Sequence, residues 1–174
     1  MKKRAVFLDR DGVINIPVVR DGKPYPPNNL SDFSYIPGAV EAAKRLRNAG
    51  YLVIVVTNQP DVRTGIQSKA IVEAMHLKLC TEGVCDDIKV CYHIDSDDCD
   101  CRKPKPGMLL RAASDWGIDL TLSFMVGDRW RDVEAGNSAG CFTFFIDYQY
   151  QERQPDGPFV RVQSLDEVSR YILE

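Results

Sequence analysis

Three short apolar runs, each giving way to polar or acidic residues at its end, constrain the fold of this chain more than any other feature. Ala5-Val6-Phe7-Leu8 leads into Asp9-Arg10-Asp11-Gly12, Tyr51-Leu52-Val53-Ile54-Val55-Val56 into Thr57-Asn58-Gln59, and Ser123-Phe124-Met125-Val126 into Gly127-Asp128-Arg129-Trp130-Arg131-Asp132. Separated by stretches with helical periodicity, such runs read as buried strands of a parallel sheet with helical crossovers. A sheet of this kind keeps its site just outside the carboxyl ends of its strands, which is where these polar groups fall. Past the end of a strand the backbone turns, so Asp9 and Asp11 can both be aimed at one hard cation such as Mg²⁺. Taken alone, the pair could equally be a solvated turn, since Asp and Gly are ordinary turn residues.

The expected elements follow from the patterning. A strand over 4–9 precedes an irregular Pro/Asn-rich loop over 16–37 and a helix over 38–49 with Gly50 at its C′ position. A strand over 51–57 leads to a helix over 68–82 with Ile71, Val72, Met75 and Leu79 turned inward. Strand 88–93, a helix from Pro106 to Trp116 closed by Gly117, strand 123–127, helix 131–139 and strand 142–147 follow. A final helix begins at Leu165, with Ser164 and Glu167 as a capping box. The fold class is thus α/β, a three-layer α/β/α Rossmann-like parallel sheet. A chain of 174 residues, 44% hydrophobic and 27% charged, suffices for one well-buried core, so a single domain over 1–174 is expected. No Walker A or GxGxxG pattern is present.

A second pattern is Cys91-Tyr92-His93 followed, with five residues between, by Cys99-Asp100-Cys101. Three thiolates and one imidazole make a complete tetrahedral zinc set with no position open for water, so zinc here would be structural. Cys99 and Cys101 are too close for an easy mutual disulfide. Lys2-Lys3-Arg4 runs directly into the first strand with no signal-peptide pattern, which points to a reducing, cytoplasmic setting. The acids Asp95, Asp97, Asp98 and Asp100 lack the glycine and terminal glutamate of a calcium loop.

In order, the motifs are DxD at 9–11, Thr57, Lys103 and GDxxxD at 127–132. This set resembles the haloacid dehalogenase-like phosphohydrolases over nearly the whole chain. The resemblance implies that Asp9 is the nucleophile forming an aspartyl-phosphate and that Asp11 is the general acid and base. It also implies that Thr57 and Lys103 stabilise the phosphoryl group. Mg²⁺ would be held by the Asp9 side chain, the Asp11 carbonyl oxygen and Asp128, with Asp132 either supporting that shell or serving as a helix N-terminal acid. The zinc loop running into Arg102-Lys103 narrows the resemblance to the D-glycero-D-manno-heptose 1,7-bisphosphate phosphatases and the related histidinol-phosphate phosphatases. In that branch an arginine after the zinc loop and a basic residue after the metal-binding Asp contact substrate, here Arg102 and Arg129.

Only the 16–37 loop and the helix-strand-zinc segment could cover the site, so no large cap domain is expected. An open site of this kind suits a small phosphorylated sugar. A second phosphate would call for further cations, with Arg20 and Arg63 as candidates beside Arg102 and Arg129, and Asn58 and Gln59 as polar contacts. Pro60-Asp61-Val62-Arg63 departs from the Ser-Gly or Asp-Gly that usually continues the second motif, and the 16–25 loop is longer and richer in proline than is usual. Histidinol phosphate and a polynucleotide 3′-phosphate are the alternative substrates; a non-catalytic zinc-stabilised binding module is the alternative outside enzymes. A net charge of −3 and a pI near 5.5 argue against a general nucleic-acid partner. No apolar stretch is long enough to span a membrane, and a monomer is expected. His76 reads as a partly exposed structural histidine, Cys80, Cys85 and Cys141 as fillers or surface thiols, Trp116 as core, and Trp130 as either core or a wall of the substrate site.

Overall fold

A computed structural model describes residues 2–174. Its main sheet has six strands in the order β5-β4-β1-β6-β7-β8, every neighbouring pair parallel. The strands are β1 (Ala5–Leu8), β4 (Leu52–Asn58), β5 (Asp87–Cys91), β6 (Phe124–Gly127), β7 (Phe142–Ile146) and β8 (Val160–Val162). The helices are α1 (Ala39–Asn48), α2 (Lys69–Thr81), α3 (Gly107–Trp116), α4 (Trp130–Ala139) and α5 (Leu165–Leu173).

Strand periodicity divides the core in two. Val6, Leu8, Val53 and Val55 face one side with residues of α1, α2 and α5, whereas Ala5, Phe7, Ile54 and Val56 face the other with residues of α3 and α4. Both faces are covered, so the strands are apolar throughout rather than alternating. The central position of β1 between β4 and β6 brings the ends of all three motif-bearing strands together at one edge. That edge is the topological switch of the sheet, where the chain first goes to β4 and β5 and then returns to β6.

Helix ends match the expected chemistry. Gly50 follows the Ala49 cap of α1 at φ +87°, Gly117 closes α3 in the left-handed region, and Ser164 Oγ accepts the Glu167 N–H at 3.2 Å. The Glu167 carboxylate reaches the Gln163 N–H instead of that of Ser164. Val72, Met75 and Leu79 of α2 are fully buried, and Ile71 is partly buried against the core.

The 16–37 segment is not irregular throughout. Val18–Arg20 (β2) and Lys23–Tyr25 (β3) form an antiparallel hairpin whose turn residues Asp21 and Gly22 both have positive φ. An Asp-Gly pair is the sequence signal for such a turn, and the flanking prolines and exposed valines masked it. The edge strand β8 was also unforeseen, because three residues with one exposed arginine carry no period. His76 is buried rather than partly exposed, because its ring meets Arg10 beneath the sheet edge. Trp116 is partly buried, and its indole N–H donates to Asp87 at 2.8 Å. Among the described residues no helix is long and apolar enough to cross a membrane.

Candidate active site

The end of β1 places Asp9 and Asp11 in a cavity of about 130 Å³ at the carboxyl edge of the sheet, shared with Lys103, Arg102, Arg129 and Asp132. The hairpin contributes Pro24 and Tyr25 to its wall, followed by Pro26. A cavity of about 600 Å³ at the opposite edge, among Lys3, Arg4, Lys44 and Arg47, contains none of the motif residues.

Lys103 is the hub. Its Nζ donates to Asp9 Oδ1 at 2.9 Å, to Asp132 Oδ1 at 2.7 Å and to the Val56 carbonyl at 2.7 Å, and the side chain is buried. Burial works against its charge, but Asp132 and Asp9 outweigh that and hold Lys103 above the ordinary lysine range. Asn58 brackets the same lysine from the backbone side, accepting its N–H at 3.1 Å and donating to its carbonyl at 3.0 Å. The ammonium thus sits beside Asp9 without the disorder of a free lysine.

Asp132 is the acid at the start of α4 and also reaches Lys103. Its Oδ2 accepts the backbone N–H groups of Asp128 and Arg129 at the start of α4, while Oδ1 accepts from Lys103. Gly127 has to be small here, since a Cβ would lie 2.0 Å from Asp132 Cβ.

Asp9, Asp128 and Asp132 present carboxylate oxygens within 4.8 Å of one another. Burial, opposed in part by Lys103, pushes Asp9 up to about 6, and burial beside Asp9 and Asp132 pushes Asp128 well above the usual carboxylate range. Asp128 Oδ1 is buried without a hydrogen-bond partner, although Oδ2 accepts from Tyr150 at 2.8 Å. A buried, unpartnered carboxylate oxygen beside two further acids is what a hard divalent cation satisfies, so the donor set fits Mg²⁺. The Asp11 carboxylate lies outside this cluster.

Asp11 is held from three sides, by Arg10 Nη2 at 3.0 and 3.1 Å, Asn15 Nδ2 at 2.9 Å and Gln59 Nε2 at 2.8 Å. Gln59 also donates to Thr57 Oγ1 at 2.9 Å and is buried, so it acts on the two motif residues rather than on the cavity surface. Arg10 is fully buried and meets His76 Nε2 at 3.2 Å. Burial first, and then Arg10, lowers His76 to about 4, so the ring is neutral and accepts from the guanidinium.

The arginines separate into two groups. Arg102, Arg129 and Arg131 line the cavity, whereas Arg20 donates to Asn28 at 3.0 Å and Arg63 pairs with Asp97 at 3.5 Å away from it. Asp95 engages both Arg102 and Arg131, and Glu152 takes Arg129 through Nε and Nη2. The positive surplus visible in the sequence is therefore partly neutralised by carboxylates that the sequence placed nowhere in particular. Trp130 is stacked between Arg153, 3.7 Å from the ring centroid, and Arg131, and does not line the cavity.

Beyond the acidic cluster, Cys91, His93, Cys99 and Cys101 converge through Sγ and Nδ1 atoms. All four atoms lie within 4.8 Å of one another, with Cys91–Cys101 at 3.1 Å and Cys91–Cys99 at 3.7 Å. Three sulfurs and one nitrogen at the corners of a small tetrahedron fit zinc and leave no opening for a reacting water. No disulfide joins any of the six cysteines.

A family model for haloacid dehalogenase-like hydrolases matches residues 30–140. The chain belongs to the haloacid dehalogenase-like hydrolases. This hydrolase is 41% identical over 148 residues to the D-glycero-beta-D-manno-heptose-1,7-bisphosphate 7-phosphatase of Pasteurella multocida, covering 79% of this chain and 77% of that one. It is 40% identical to the Pseudomonas aeruginosa protein of the same name, covering 81% and 79%. Its fold matches the D,D-heptose 1,7-bisphosphate phosphatase of B. bronchiseptica, solved with magnesium and phosphate, at a TM-score of 0.81 and 32% identity over 98% of each chain. The enzyme is a phosphoric monoester hydrolase.

Sequence reasoning missed Arg10, Asn15, Tyr150 and Glu152. Arg10 carried a signal, being a charge flanked by two acids at the end of an all-apolar strand. Tyr150 and Glu152 lie in an aperiodic stretch with no signal at all.

Proposed function

We propose that this enzyme is a Mg²⁺-dependent phosphatase that removes the 7-phosphate of D-glycero-D-manno-heptose 1,7-bisphosphate through an aspartyl-phosphate at Asp9. The observation that carries the reaction is Asp9 at the cavity floor, in contact with Lys103 and beside a buried Asp128 with one oxygen unpartnered. The names of the relatives support the substrate.

In this reading the Asp9 carboxylate attacks phosphorus, the ester oxygen leaves, and Asp11 supplies its proton. Asp11 then takes a proton from the water that attacks the aspartyl-phosphate, releasing inorganic phosphate and regenerating Asp9. Lys103 and the Thr57 hydroxyl donate to the phosphoryl oxygens as they spread toward a trigonal arrangement. Asp9 and Asp128 side chains with the Asp11 carbonyl would hold Mg²⁺, which offsets the charge between two anions that must approach. Arg102, Arg129 and Arg131 are the cations within reach of the 1-phosphate.

Zinc at Cys91, His93, Cys99 and Cys101 would fix the loop that delivers Arg102 and Lys103. In this reading the enzyme works as a monomer in the cytoplasm, the motif residues of a single chain converging on one cavity without a contribution from a partner.

The test is a comparison of kcat/KM for the two anomers of the heptose bisphosphate, histidinol phosphate, a 3′-phosphorylated oligonucleotide and simple sugar monophosphates. At least one anomer of the bisphosphate is expected to lead by tenfold or more, because a monophosphate leaves the distal cations unpaired. Equal or better turnover of histidinol phosphate or a monophosphate overturns the substrate and leaves only the phosphatase class.

A further inference from the structure

The segment after β7 runs as a strap over the acidic cluster, and it touches the site at two points. The Tyr150 hydroxyl donates to Asp128 Oδ2 at 2.8 Å, and the Glu152 carboxylate takes the Arg129 guanidinium. Between them the Gln151 N–H donates to the carbonyl of Gly22 in the turn of the hairpin at 2.8 Å. The strap is thus tied to the hairpin that walls the cavity and to the residue that follows Asp128 in sequence. Tyr148 packs on Tyr150 with ring centroids 5.6 Å apart, which restricts the Tyr150 ring from its outer side.

The geometry points to Tyr150 as a positioning residue for the metal: its hydroxyl occupies one oxygen of Asp128 and leaves the other, Oδ1, unpartnered as the metal-facing atom. Two observations carry this. Asp128 Oδ1 is buried with no protein donor, and Oδ2 has one. Gly12, at φ +86°, packs so closely on Asp128 that a Cβ there would fall 1.9 Å from Oδ2, so the oxygen bonded to Tyr150 is also hemmed in by backbone. A carboxylate that can rotate loses order whenever it binds a cation, whereas one held by an outer hydrogen bond and a steric wall does not. Removing such an outer partner typically lowers metal affinity by about 10–100-fold.

The inference rests on Asp128 being a Mg²⁺ ligand, and the experiment separates the two. Calorimetric titration of substrate-free enzyme with MgCl₂ is done for wild type, Tyr150→Phe, Glu152→Gln and Asp128→Asn, alongside melting temperatures without Mg²⁺. Asp128→Asn is expected to abolish binding; if it does not, the metal assignment fails and the role of Tyr150 with it. Tyr150→Phe is expected to weaken Mg²⁺ binding by about 10–100-fold while the Mg²⁺-free melting temperature stays close to wild type. The Mg²⁺ concentration for half-maximal turnover should rise by the same factor. Unchanged affinity in Tyr150→Phe, with Asp128→Asn inactive in binding, overturns the inference alone. If Tyr150→Phe does not fold, Glu152→Gln decides, since it loosens the strap without touching Asp128 and should weaken Mg²⁺ several-fold; an unchanged value there overturns the inference as well.

Discussion

At the scale of single residues, the site is a problem of holding like charges together. Asp9, Asp128 and Asp132 are buried within a few ångströms, and Lys103 is the cation that makes the arrangement tolerable. Removing one partner of such a buried set costs about 3–5 kcal/mol, because the remaining charges are left uncompensated. Gly12 shows how tightly the geometry is drawn, since it combines a left-handed φ with direct apposition to Asp128. Gly12→Ala is therefore expected to destabilise the fold by about 1–3 kcal/mol from backbone strain alone. It should also weaken Mg²⁺ binding by displacing the Asp128 carboxylate. Denaturant melts and a Mg²⁺ titration check both; a variant that matches wild type in each would show that Gly12 is not constrained as described.

At the scale of elements, the zinc loop and α2 each support the site from a distance. Loss of a zinc ligand, as in Cys101→Ser, is expected to remove stoichiometric zinc by elemental analysis. Arg102 and Lys103 lie immediately beyond Cys101, and a displacement of about 1 Å at such groups can cost on the order of 100-fold in rate. Cys101→Ser with full zinc or with wild-type kcat/KM would contradict that role. Helix α2 supplies His76, which is neutral against Arg10. Its folded value near 4 lies below the ordinary 6.5, so the unfolded chain binds the extra proton. The stability this represents is fully present above pH 6.5 and is lost as pH falls toward 4. Its size is about 2 kcal/mol after allowance for a ring that is not wholly sealed from solvent. His76→Gln keeps an acceptor for Arg10 without titrating, so its stability should fall less steeply than wild type between pH 6.5 and 4 in denaturant titrations. Parallel pH profiles would refute the coupling.

The same elements show what the sequence made legible. Strands buried on both faces, helices ending at Gly50 and Gly117, and the ordered motifs after β1, β4 and β6 are local patterns, so the sheet and the convergence of Asp9, Thr57, Lys103 and Asp128 could be read from the chain. The pairing of Arg102 and Arg131 with Asp95, of Arg129 with Glu152 and of Tyr150 with Asp128 depends on loops meeting in space. No period or spacing encodes those meetings, which is why Arg20 and Arg63 stand as further candidates in the sequence although neither lines the cavity. The hairpin at Asp21-Gly22 is an intermediate case, a local turn signal hidden among prolines.

On the scale of the whole molecule, a small site at the switch point of a parallel sheet, walled by the hairpin, the residues after β4 and a set of arginines, accepts a small substrate and selects it by charge. Arg102 is held by Asp95 and by the His93 carbonyl through Nε and Nη1, which leaves Nη2 for a ligand. Arg102→Ala is expected to raise KM for the heptose bisphosphate at least tenfold more than KM for a small generic phosphate ester, because only the former has a distal phosphate to lose a partner. Equal changes for both would remove Arg102 from recognition. The reaction itself depends on one carboxylate, and turnover of the heptose bisphosphate by Asp9→Asn, with circular dichroism to verify the fold, examines it most directly. An amide cannot form the aspartyl-phosphate, so turnover should fall by about 10⁴-fold or more in a folded protein; an Asp9→Asn enzyme turning over near the wild-type rate would contradict covalent catalysis at this residue.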